Sequence, residues 1–348
     1  MPNKCKQNAF TRYQKYDTVL YAEVCADRIA AIPGDCKSPT HWVSLVRVQL
    51  GAQKKHLTKV FFVPHSSVIM STMRYCYLNG DIIPESEAKV SIFDIGMLRG
   101  FGIYEALTTL NGKVFMCDDH LARFRRSAQF LDIPVPVSDE EIVRIMYELV
   151  EKNGFVRTNI KFILTGGEAI GGIDYDRSTP TFYIFTEEWK PIDEKYYTHG
   201  ASVLLKEHLR EYPEYKTINY ISAVPLQKKM KEAHALETLY TWRRQILECA
   251  TSNFFVVAGG KILTPKDSIL YGVTRKVVID LARAQGLEVL ECNVSLEELY
   301  DADECFISSS FKDVVPVVKV GDTVIGTGNV GPVTKQVMEL FENNSRKY

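Results

Sequence analysis

The chain has 348 residues, of which 46% are hydrophobic and 24% are charged, so it is long enough for two domains with cores of their own. Its formal net charge is -1, and this balance argues against nucleic acid or an anionic membrane surface as a partner. The eight cysteines stand singly, without CxxC or HExxH motifs, and no apolar run reaches the ~18 residues of a membrane span, so we predict reduced thiols, no metal site and a cytoplasmic location.

Residues 1–72 differ in character from the rest of the chain. They carry three of the cysteines and few segments with helical periodicity. From Met73 onward the sequence changes to strand-like stretches, Asn-Gly turns and amphipathic helices. We therefore treat 1–72 as an N-terminal extension of unknown role. One hypothesis is that Met73 is the true translation start, and the alternative is a disordered or weakly folded extension.

Residues 73–192 have the pattern of a small N-terminal α/β domain. Asn-Gly pairs at 79–80 and 111–112 each follow a strand-like stretch and predict β-hairpins. Asp118 and Asp119 suit the start of a helix, since acidic side chains favour its N-terminus. The further predicted elements are strands at 103–110 and 113–116, helices from 118 and over 139–153, and strands at 159–165 and 181–186.

A second, larger domain is predicted for residues 193–348. Trp189 to Pro191 and the charged residues that follow indicate a linker, so we place the boundary between 192 and 193. The predicted elements are a strand at 201–206, a helix at 221–235, a β-hairpin at 248–261, a helix at 273–285 and a closing helix after Pro332.

Four short motifs follow one another in this second half. They are Tyr215–Tyr220 (YKTINY), Glu248–Phe255 (ECATSNFF), Ile269–Arg275 (ILYGVTR) and Phe306–Val317 (FISSSFKDVVPV). Each alone has an ordinary structural explanation: a surface lysine, a turn after a strand, a capped helix start and a polar loop. Two motifs in the first half precede them, GIYE at 102–105 and HLAR at 120–123. The informative feature is therefore their combination and order.

Together the motifs contain a set of groups that suits a phosphate dianion. The Gly272–Thr274 helix start offers backbone N–H groups, the serines at 308–310 offer hydroxyls, and Arg123 offers a fixed charge. The chain has no GxGxxG or GxxxxGK[ST] motif, which argues against a dinucleotide or P-loop site.

In this order the six motifs resemble the signature of the class IV aminotransferases, the fold-type IV enzymes that use pyridoxal 5'-phosphate (PLP). The resemblance covers roughly residues 75–345. It implies a two-domain α/β (α+β) fold like that of the D-amino acid aminotransferases, with the cofactor in the cleft between the domains. It also implies a homodimer.

The resemblance implies a role for each motif. Lys216 is the catalytic residue, which binds the cofactor aldehyde covalently and moves a proton, because only a primary amine condenses with an aldehyde. Glu248 pairs with the ring nitrogen and keeps it protonated. The other implied cofactor-binding residues are Arg123, Tyr220, Thr251, Ser252, Gly272, Val273, Thr274 and Ser310.

Two residues are implied to bind the substrate. Tyr104 lines the pocket, and Lys161 lies on the strand where branched-chain enzymes place an arginine. In the loop at 165–177, residues 166–174 lack the arginine and histidine that D-amino acid aminotransferases use, and Arg177 lies further on and does not match that arginine by motif. We therefore predict transfer of an amino group between an L-branched-chain amino acid and a 2-oxo acid such as 2-oxoglutarate. D-amino acid transamination, aminodeoxychorismate lyase activity and PLP binding without turnover stay open as alternatives.

Overall fold

The computed structural model describes residues 10–15, 18–23 and 73–348. The chain divides into two compact units, Met1–Thr72 and Met73–Tyr348. In the first unit, β1 (Phe10–Lys15) and β2 (Thr18–Glu23) form an antiparallel pair. The rest of the N-terminal extension considered above lies outside the described residues.

The second unit is built from strands and helices in a mixed order. Its strands are β3 (Tyr75–Leu78), β4 (Asp81–Pro84), β5 (Gly102–Leu110), β6 (Lys113–Val114), β7 (Thr158–Thr165), β8 (Ala169–Gly171), β9 (Asp174–Tyr175), β10 (Thr181–Glu188), β11 (Ala201–Glu207), β12 (Glu237–Trp242), β13 (Gln245–Cys249), β14 (Asn253–Ala258), β15 (Lys261–Thr264), β16 (Val289–Glu291), β17 (Val294–Ser295), β18 (Glu304–Ser309), β19 (Asp313–Val320) and β20 (Thr323–Val324).

The helices of this unit are α1 (Ile95–Arg99), α2 (Cys117–Phe130), α3 (Asp139–Asn153), α4 (Lys195–Thr198), α5 (Gln227–Glu232), α6 (Val273–Ala284), α7 (Leu296–Tyr300) and α8 (Pro332–Lys347). Within the described ranges, none of the helices combines the length and the apolar character that crossing a membrane requires.

The first sheet has six strands in the order β4-β3-β10-β7-β5-β6, and each pair of neighbours is antiparallel. Alternate residues of β5, such as Ile103 and Leu107, are fully buried against α2 and α3, as expected for a strand with one covered face. The opposite face carries half-buried side chains, including Tyr104. This face is the one that holds part of the candidate site.

The second sheet runs in the order β16-β15-β14-β18-β19-β11-β12-β13-β17, and β20 pairs with β19. It is mixed, because β11 is parallel to both β12 and β19 while β18 is antiparallel to both of its neighbours. α6 and α8 cover one face with a core that includes Phe255, Val278 and Phe341. The predicted boundary at 192/193 falls between the last strand of the first sheet and the first strand of the second.

The prediction of a hairpin around Asn79 and Gly80 is confirmed. β3 and β4 pair with Leu78 opposite Asp81, and the two turn residues have φ values of 48° and 118°. Asn and Gly tolerate such positive φ values better than other residues do, which is why this dipeptide predicts the turn.

The prediction of a long helix at 221–235 is wrong. α5 covers Gln227–Glu232 and is preceded by one turn of 3-10 helix at Val224–Leu226. Pro225 lacks a backbone N–H, so a helix cannot continue through it from the N-terminal side without losing a hydrogen bond. At the other end, His234 has a φ of 51°, which stops a right-handed helix.

The prediction of a hairpin at 248–261 is also wrong. Glu248 lies on β13, which pairs with β12 and β17, whereas β14 pairs with β15 and β18. A turn closed by a 2.8 Å hydrogen bond from Cys249 N to Ser252 O ends β13. The next strand, β14, therefore does not pair with β13. The hairpin lies at Asn253–Thr264 instead, where Gly259 and Gly260 supply two positive φ values.

Candidate active site

Lys216 lies in the irregular segment after β11, and the backbone of this segment is hydrogen-bonded to the first sheet. Its carbonyl accepts a 2.9 Å hydrogen bond from Tyr104 N, and Ile218 N donates to Gly102 O at 3.1 Å. The side chain is half-buried, and its Nζ lies 4.4 Å from the centre of the Tyr104 ring. Backbone bonds across two parts of the chain therefore hold the amine over β5.

Burial lowers the pKa of the Lys216 amine below its usual range, Tyr220 opposes this effect and Arg123 adds to it. Tyr220 lies beside the amine, and its hydroxyl is hydrogen-bonded to that of Tyr104. Burial raises the pKa of Tyr220, so the hydroxyl keeps its proton at neutral pH. A lysine whose pKa is lowered can act as a nucleophile and as a base near neutral pH.

Glu248 is buried and held by three donors. Arg210 Nη1 donates to one carboxylate oxygen at 2.8 Å, while Leu270 N and Asn253 Nδ2 donate to the other at 3.1 Å and 3.4 Å. Burial raises the pKa of Glu248, and Arg210 opposes that rise. The ion pair thus favours the charged form of a carboxylate that burial alone would neutralise.

Arg123 is also buried, and its partner is Glu105. Arg123 Nε and Nη2 donate to the two carboxylate oxygens at 2.9 Å and 2.6 Å, and His120 Nδ1 lies 3.0 Å from one of them. Burial by itself raises the pKa of Glu105, but Arg123 and His120 lower it well below its usual range. The remaining nitrogen, Nη1, donates to Tyr271 O at 3.4 Å, so Arg123 reaches the residue before Gly272.

The start of α6 and the end of β18 are brought together by Asn253. This residue pairs with Ser308 across the β14–β18 ladder, and its Nδ2 donates to Leu270 O at 2.7 Å. Its Oδ1 lies only 2.0 Å from where a Cβ on Gly272 would stand. Glycine is therefore required at this position, because any side chain would displace Asn253.

These groups fit a phosphate. Within the described residues no side chain caps the first turn of α6, which leaves the N–H groups at Val273 and Thr274 free to bind an anion. The hydroxyls of Ser308 and Ser309 are buried and have no hydrogen-bond partner among the residues that the structure describes. Ser310, the predicted hydroxyl donor, begins the turn after β18 and is half-buried.

Thr251 and Ser252 follow Glu248 in the turn that ends β13. Both hydroxyls donate to Glu237, the Ser252 bond being 3.0 Å long, and both accept from Lys312 Nζ, at 2.7 Å and 3.3 Å. Lys312 Nζ also lies 2.9 Å from Glu237 Oε1. Thr251 and Ser252, which we predicted to adjoin the cofactor, are thus hydrogen-bonded to both members of the Glu237–Lys312 ion pair.

Lys161 lies on the same sheet face as Tyr104. Cross-strand pairing places Tyr104 opposite Ile163, and Lys161 opposite Ala106 one step further along. The Lys161 amine makes a 2.6 Å ion pair with Glu187. The Lys161 side chain therefore lies on the same face of the sheet as the Tyr104 ring, and its amine is already paired with the Glu187 carboxylate.

Arg210, Glu237 and Lys312 were not identified from the sequence. Arg210 and Lys312 lie outside the regular elements, and Glu237 is the first residue of β12, whereas charged residues in such positions are usually exposed. Glu105 did carry a signal, since it stands between Ile103 and Leu107 on the buried face of β5, where an unpaired carboxylate would be costly.

Comparison with known proteins identifies the family. The model of the amino-transferase class IV family matches residues 102–320, more than half of the chain. A protein of Methanocaldococcus jannaschii, provisionally named a branched-chain amino acid aminotransferase, is 32% identical over 278 residues, covering 78% of this chain and 96% of that protein. The D-alanine aminotransferase of Bacillus licheniformis is 33% identical over 272 residues, covering 76% and 95%.

A solved structure supports the same conclusion for the fold. A T.th. branched-chain amino acid aminotransferase with pyridoxamine 5'-phosphate superposes with a TM-score of 0.74 at 24% identity, covering 79% of this chain and 95% of that one. This likeness confirms the predicted fold-type IV architecture. With the family model and the two relatives, it shows that the chain belongs to the class IV aminotransferases.

Proposed function

We propose that this class IV aminotransferase uses PLP to transfer an amino group between an L-branched-chain amino acid and a 2-oxo acid such as 2-oxoglutarate. The observation that carries the proposal is the grouping of Lys216, with its lowered pKa, beside two tyrosines and the Glu248–Arg210 ion pair. The phosphate-fitting groups at the start of α6 and the end of β18 support the choice of cofactor, as does the pyridoxamine 5'-phosphate in the T.th. enzyme.

Bound PLP supplies an electron-accepting ring that makes the substrate Cα–H bond acidic. In the proposed mechanism Lys216 would take the proton from the substrate Cα and deliver it to C4' of the cofactor, which its lowered pKa allows near neutral pH. Glu248, kept charged by Arg210, holds a proton at the ring nitrogen. Arg123, Gly272, Val273, Thr274 and Ser310 bind the phosphate, and Tyr220 contacts the ring oxygen.

The side of the first sheet that faces Lys216 supports an apolar substrate side chain. Ile163 and Tyr183 are opposite each other and adjoin Tyr104, and Phe185 lies one step further along with Lys161. Such a surface suits a branched aliphatic group better than a small or charged one. The provisional name of the Methanocaldococcus jannaschii relative agrees with this preference.

Transamination of D-amino acids is the second candidate, and the 33% identical Bacillus licheniformis relative favours it. The one arginine of the loop at 165–177 is Arg177, which forms an ion pair with Asp132. Tyr175 of the same loop donates to Asp132 O at 3.3 Å. These contacts direct the loop toward the end of α2, which supports the L-specific proposal over the D-specific one.

We further propose that the enzyme acts as a homodimer in the cytoplasm, with the substrates as its small-molecule partners. The five cysteines among the described residues form no disulfide, which suits a reducing compartment. The homodimer is proposed on the family resemblance.

The test is a half-reaction spectrum of the PLP-loaded protein mixed with single amino acids. Conversion of the visible cofactor band to the pyridoxamine form by L-leucine, L-isoleucine, L-valine or L-glutamate is expected. Conversion by D-alanine instead would favour the D-specific candidate. A band that no amino acid converts would point to a lyase or a protein without turnover, and no band after PLP addition would overturn the proposal.

A further inference from the structure

Four residues of α2 lie in one row along the helix. The row follows helical steps of three and four residues and consists of His120, Arg123, Ser127 and Phe130. The first two are hydrogen-bonded to Glu105, as described above. Ser127 is buried as well, and the Glu105 cluster does not account for it. A buried hydroxyl needs a partner, because burial of an unpaired polar group is costly.

The partner of Ser127 is the backbone of Lys216. Lys216 N donates to Ser127 Oγ at 3.3 Å, while Lys216 O accepts from Tyr104 N at 2.9 Å. Ser127 belongs to α2 and Tyr104 to β5. Two different elements therefore hold the two polar groups of the Lys216 backbone, and together they fix where this residue lies.

Phe130 contacts the residue that precedes Lys216. Its ring stacks on the ring of Tyr215, with the centroids 3.7 Å apart and the planes 7° from parallel. The Tyr212 ring packs edge-on against Phe130, with the centroids 4.9 Å apart. α2 thus contacts two consecutive residues of the lysine segment, one through a stacked ring pair and the other through a hydrogen bond.

The segment that carries Lys216 depends on such contacts. It lies outside the helices and strands, between the end of β11 at Glu207 and the 3-10 turn that starts at Val224. Contacts with other elements must therefore set the course of its backbone. The long side chain can place its amine accurately only if the backbone is fixed, and a small misplacement of a group that transfers a proton lowers the rate strongly.

The same helix also reaches the proposed phosphate site. Arg123 stands one turn before Ser127, about 6 Å along the helix axis. Its Nη1 donates to Tyr271 O at 3.4 Å, next to Gly272 at the start of α6. The PLP ring holds its aldehyde and its phosphate at a fixed separation. A rigid helix that contacts both the lysine segment and the start of α6 can keep the two anchoring points at a matching separation.

We propose that Ser127 is a positioning residue that fixes Lys216 relative to the phosphate site, with Phe130 as a second support. This inference rests on the proposed function, in which Lys216 binds the cofactor and moves the proton. Ser127 acts only through the backbone N–H of Lys216 and does not touch the reacting atoms.

The first measurement is hydrogen exchange of the Lys216 amide in the full-length protein without cofactor, by mass spectrometry with single-residue fragmentation. Ser127→Ala removes the acceptor and should make this amide exchange roughly 5- to 10-fold faster, the usual size of one lost hydrogen bond. Amides of β7 should exchange as in the wild type, which shows that the fold is retained.

Ser345→Ala is the matched control for this measurement. Ser345 is also a serine on a helix, α8, but its buried hydroxyl has no hydrogen-bond partner among the residues that the structure describes. The same substitution there should leave exchange of the Lys216 amide unchanged.

The second measurement is the half-reaction of the PLP-loaded protein with L-leucine, or with the amino acid that the wild type converts fastest, and with the same amino acid deuterated at Cα. In Ser127→Ala the rate should fall by roughly 10- to 100-fold. The deuterium effect should rise, because proton transfer by a misplaced amine becomes slow relative to the other steps. A mere loss of stability would lower the active fraction and leave the deuterium effect unchanged.

Phe130→Leu is a second variant that does not disturb a buried position. The Phe130 side chain is 38% exposed, so its replacement should leave folding intact while it removes the stack on Tyr215. We expect the same changes in exchange, rate and deuterium effect as in Ser127→Ala, but smaller ones, because the hydrogen bond to Lys216 N stays.

The outcomes separate the inference from the proposed function. Unchanged exchange of the Lys216 amide in Ser127→Ala would overturn the inference, as would faster exchange with a wild-type rate and deuterium effect. In both cases conversion of L-leucine by the wild type would leave the function standing.

A wild type that binds PLP but converts no amino acid would reject the function. The visible band of lysine-bound PLP then decides the inference, because its formation also requires a correctly placed amine. Slower formation of this band in Ser127→Ala than in Ser345→Ala would support the inference, and equal rates would overturn it.

Discussion

At the level of single residues, each buried acid of the site has a cation beside it. Glu105 faces Arg123, Glu248 faces Arg210 and Glu237 faces Lys312, at N–O distances of 2.6 to 2.9 Å. Removing one member of such a pair leaves an uncompensated buried charge, which costs far more than losing a surface ion pair. We therefore expect site variants to affect the charge state of a partner as well as the residue replaced.

The first prediction concerns Lys216→Ala. Without a primary amine the protein should lose the visible absorbance of lysine-bound PLP, and turnover should fall by roughly 100- to 10,000-fold, the range of a lost general base. Absorbance spectroscopy and steady-state rates check this. Lys228→Ala is the control, since that side chain is 86% exposed on α5 and should change neither quantity. An unchanged absorbance band in Lys216→Ala would show that another lysine holds the cofactor.

The second prediction concerns Arg210→Met. Burial already raises the pKa of Glu248, and Arg210 is the group that opposes this rise, so its removal should raise that pKa further. The proposed mechanism needs the ionised carboxylate, so activity should be lost as pH falls through this pKa. The acidic limb of the kcat–pH profile should thus move to higher pH. Arg210→Lys, which keeps a cation, should move it less. Coinciding profiles for all three proteins would exclude a role for Arg210 in ionising Glu248.

At the level of elements, α3 and α6 differ in how their first turns are capped. α3 has a conventional start, with Ser138 accepting from Glu141 N, whereas α6 begins at Gly272 with no side-chain cap within the described residues. A helix start without its own cap offers its N–H groups to a ligand. The difference separates a helix that only supports the sheet from one that we propose to bind the phosphate.

The third prediction therefore concerns Gly272→Ala. A Cβ at this position would stand 2.0 Å from Asn253 Oδ1, and Asn253 would have to move, losing its bonds to Leu270 O and Glu248. We expect a loss of roughly 1 to 3 kcal/mol in unfolding free energy, as for other overpacked sites. PLP affinity should fall as well.

Denaturant unfolding and PLP titration measure the two effects. Gly171→Ala is a suitable control, because a Cβ there meets nothing within 4 Å and the residue has no positive φ. It should match the wild type in both measurements. Wild-type PLP affinity in Gly272→Ala would argue against the start of α6 as the phosphate site.

At the level of the whole molecule, the candidate site forms because the segment that follows β11 of the second sheet is hydrogen-bonded to β5 of the first sheet. Lys216 follows β11 of the second sheet, but its backbone is bonded to β5 of the first. Glu248 and the serines come from the second sheet, whereas Arg123 and Tyr104 come from the first sheet and its helix. Relative movement of the two sheets would therefore separate the amine from its partners.

The fourth prediction concerns the chain that starts at Met73. The compact unit Met73–Tyr348 contains both sheets, their cores and every candidate site residue. A protein of residues 73–348 should therefore fold cooperatively and bind PLP with the affinity of the full-length chain. Circular dichroism melting and PLP titration of the two proteins make the comparison. Failure of the shorter protein to fold or to bind PLP would assign a structural role to residues 1–72.

Local patterns predicted much of the fold. Asn79-Gly80 marked its hairpin, and the acidic pair Asp118-Asp119 followed by apolar residues at helical spacing marked α2, because turn chemistry and helical spacing act over a few residues. The helix at 221–235 and the hairpin at 248–261 were predicted wrongly. In both cases the outcome depended on a single proline or a four-residue turn that redirected the chain.

The sequence by itself determined the family, because PLP chemistry restricts the residue types at a few positions and their order survives in the chain. Only the tertiary structure decided which charges meet. Arg210 lies 38 residues from Glu248, and Lys312 lies 75 residues from Glu237, so no local spacing relates the members of either pair. Burial is what makes these pairs matter, and burial is a property of the packed sheets and not of any one segment.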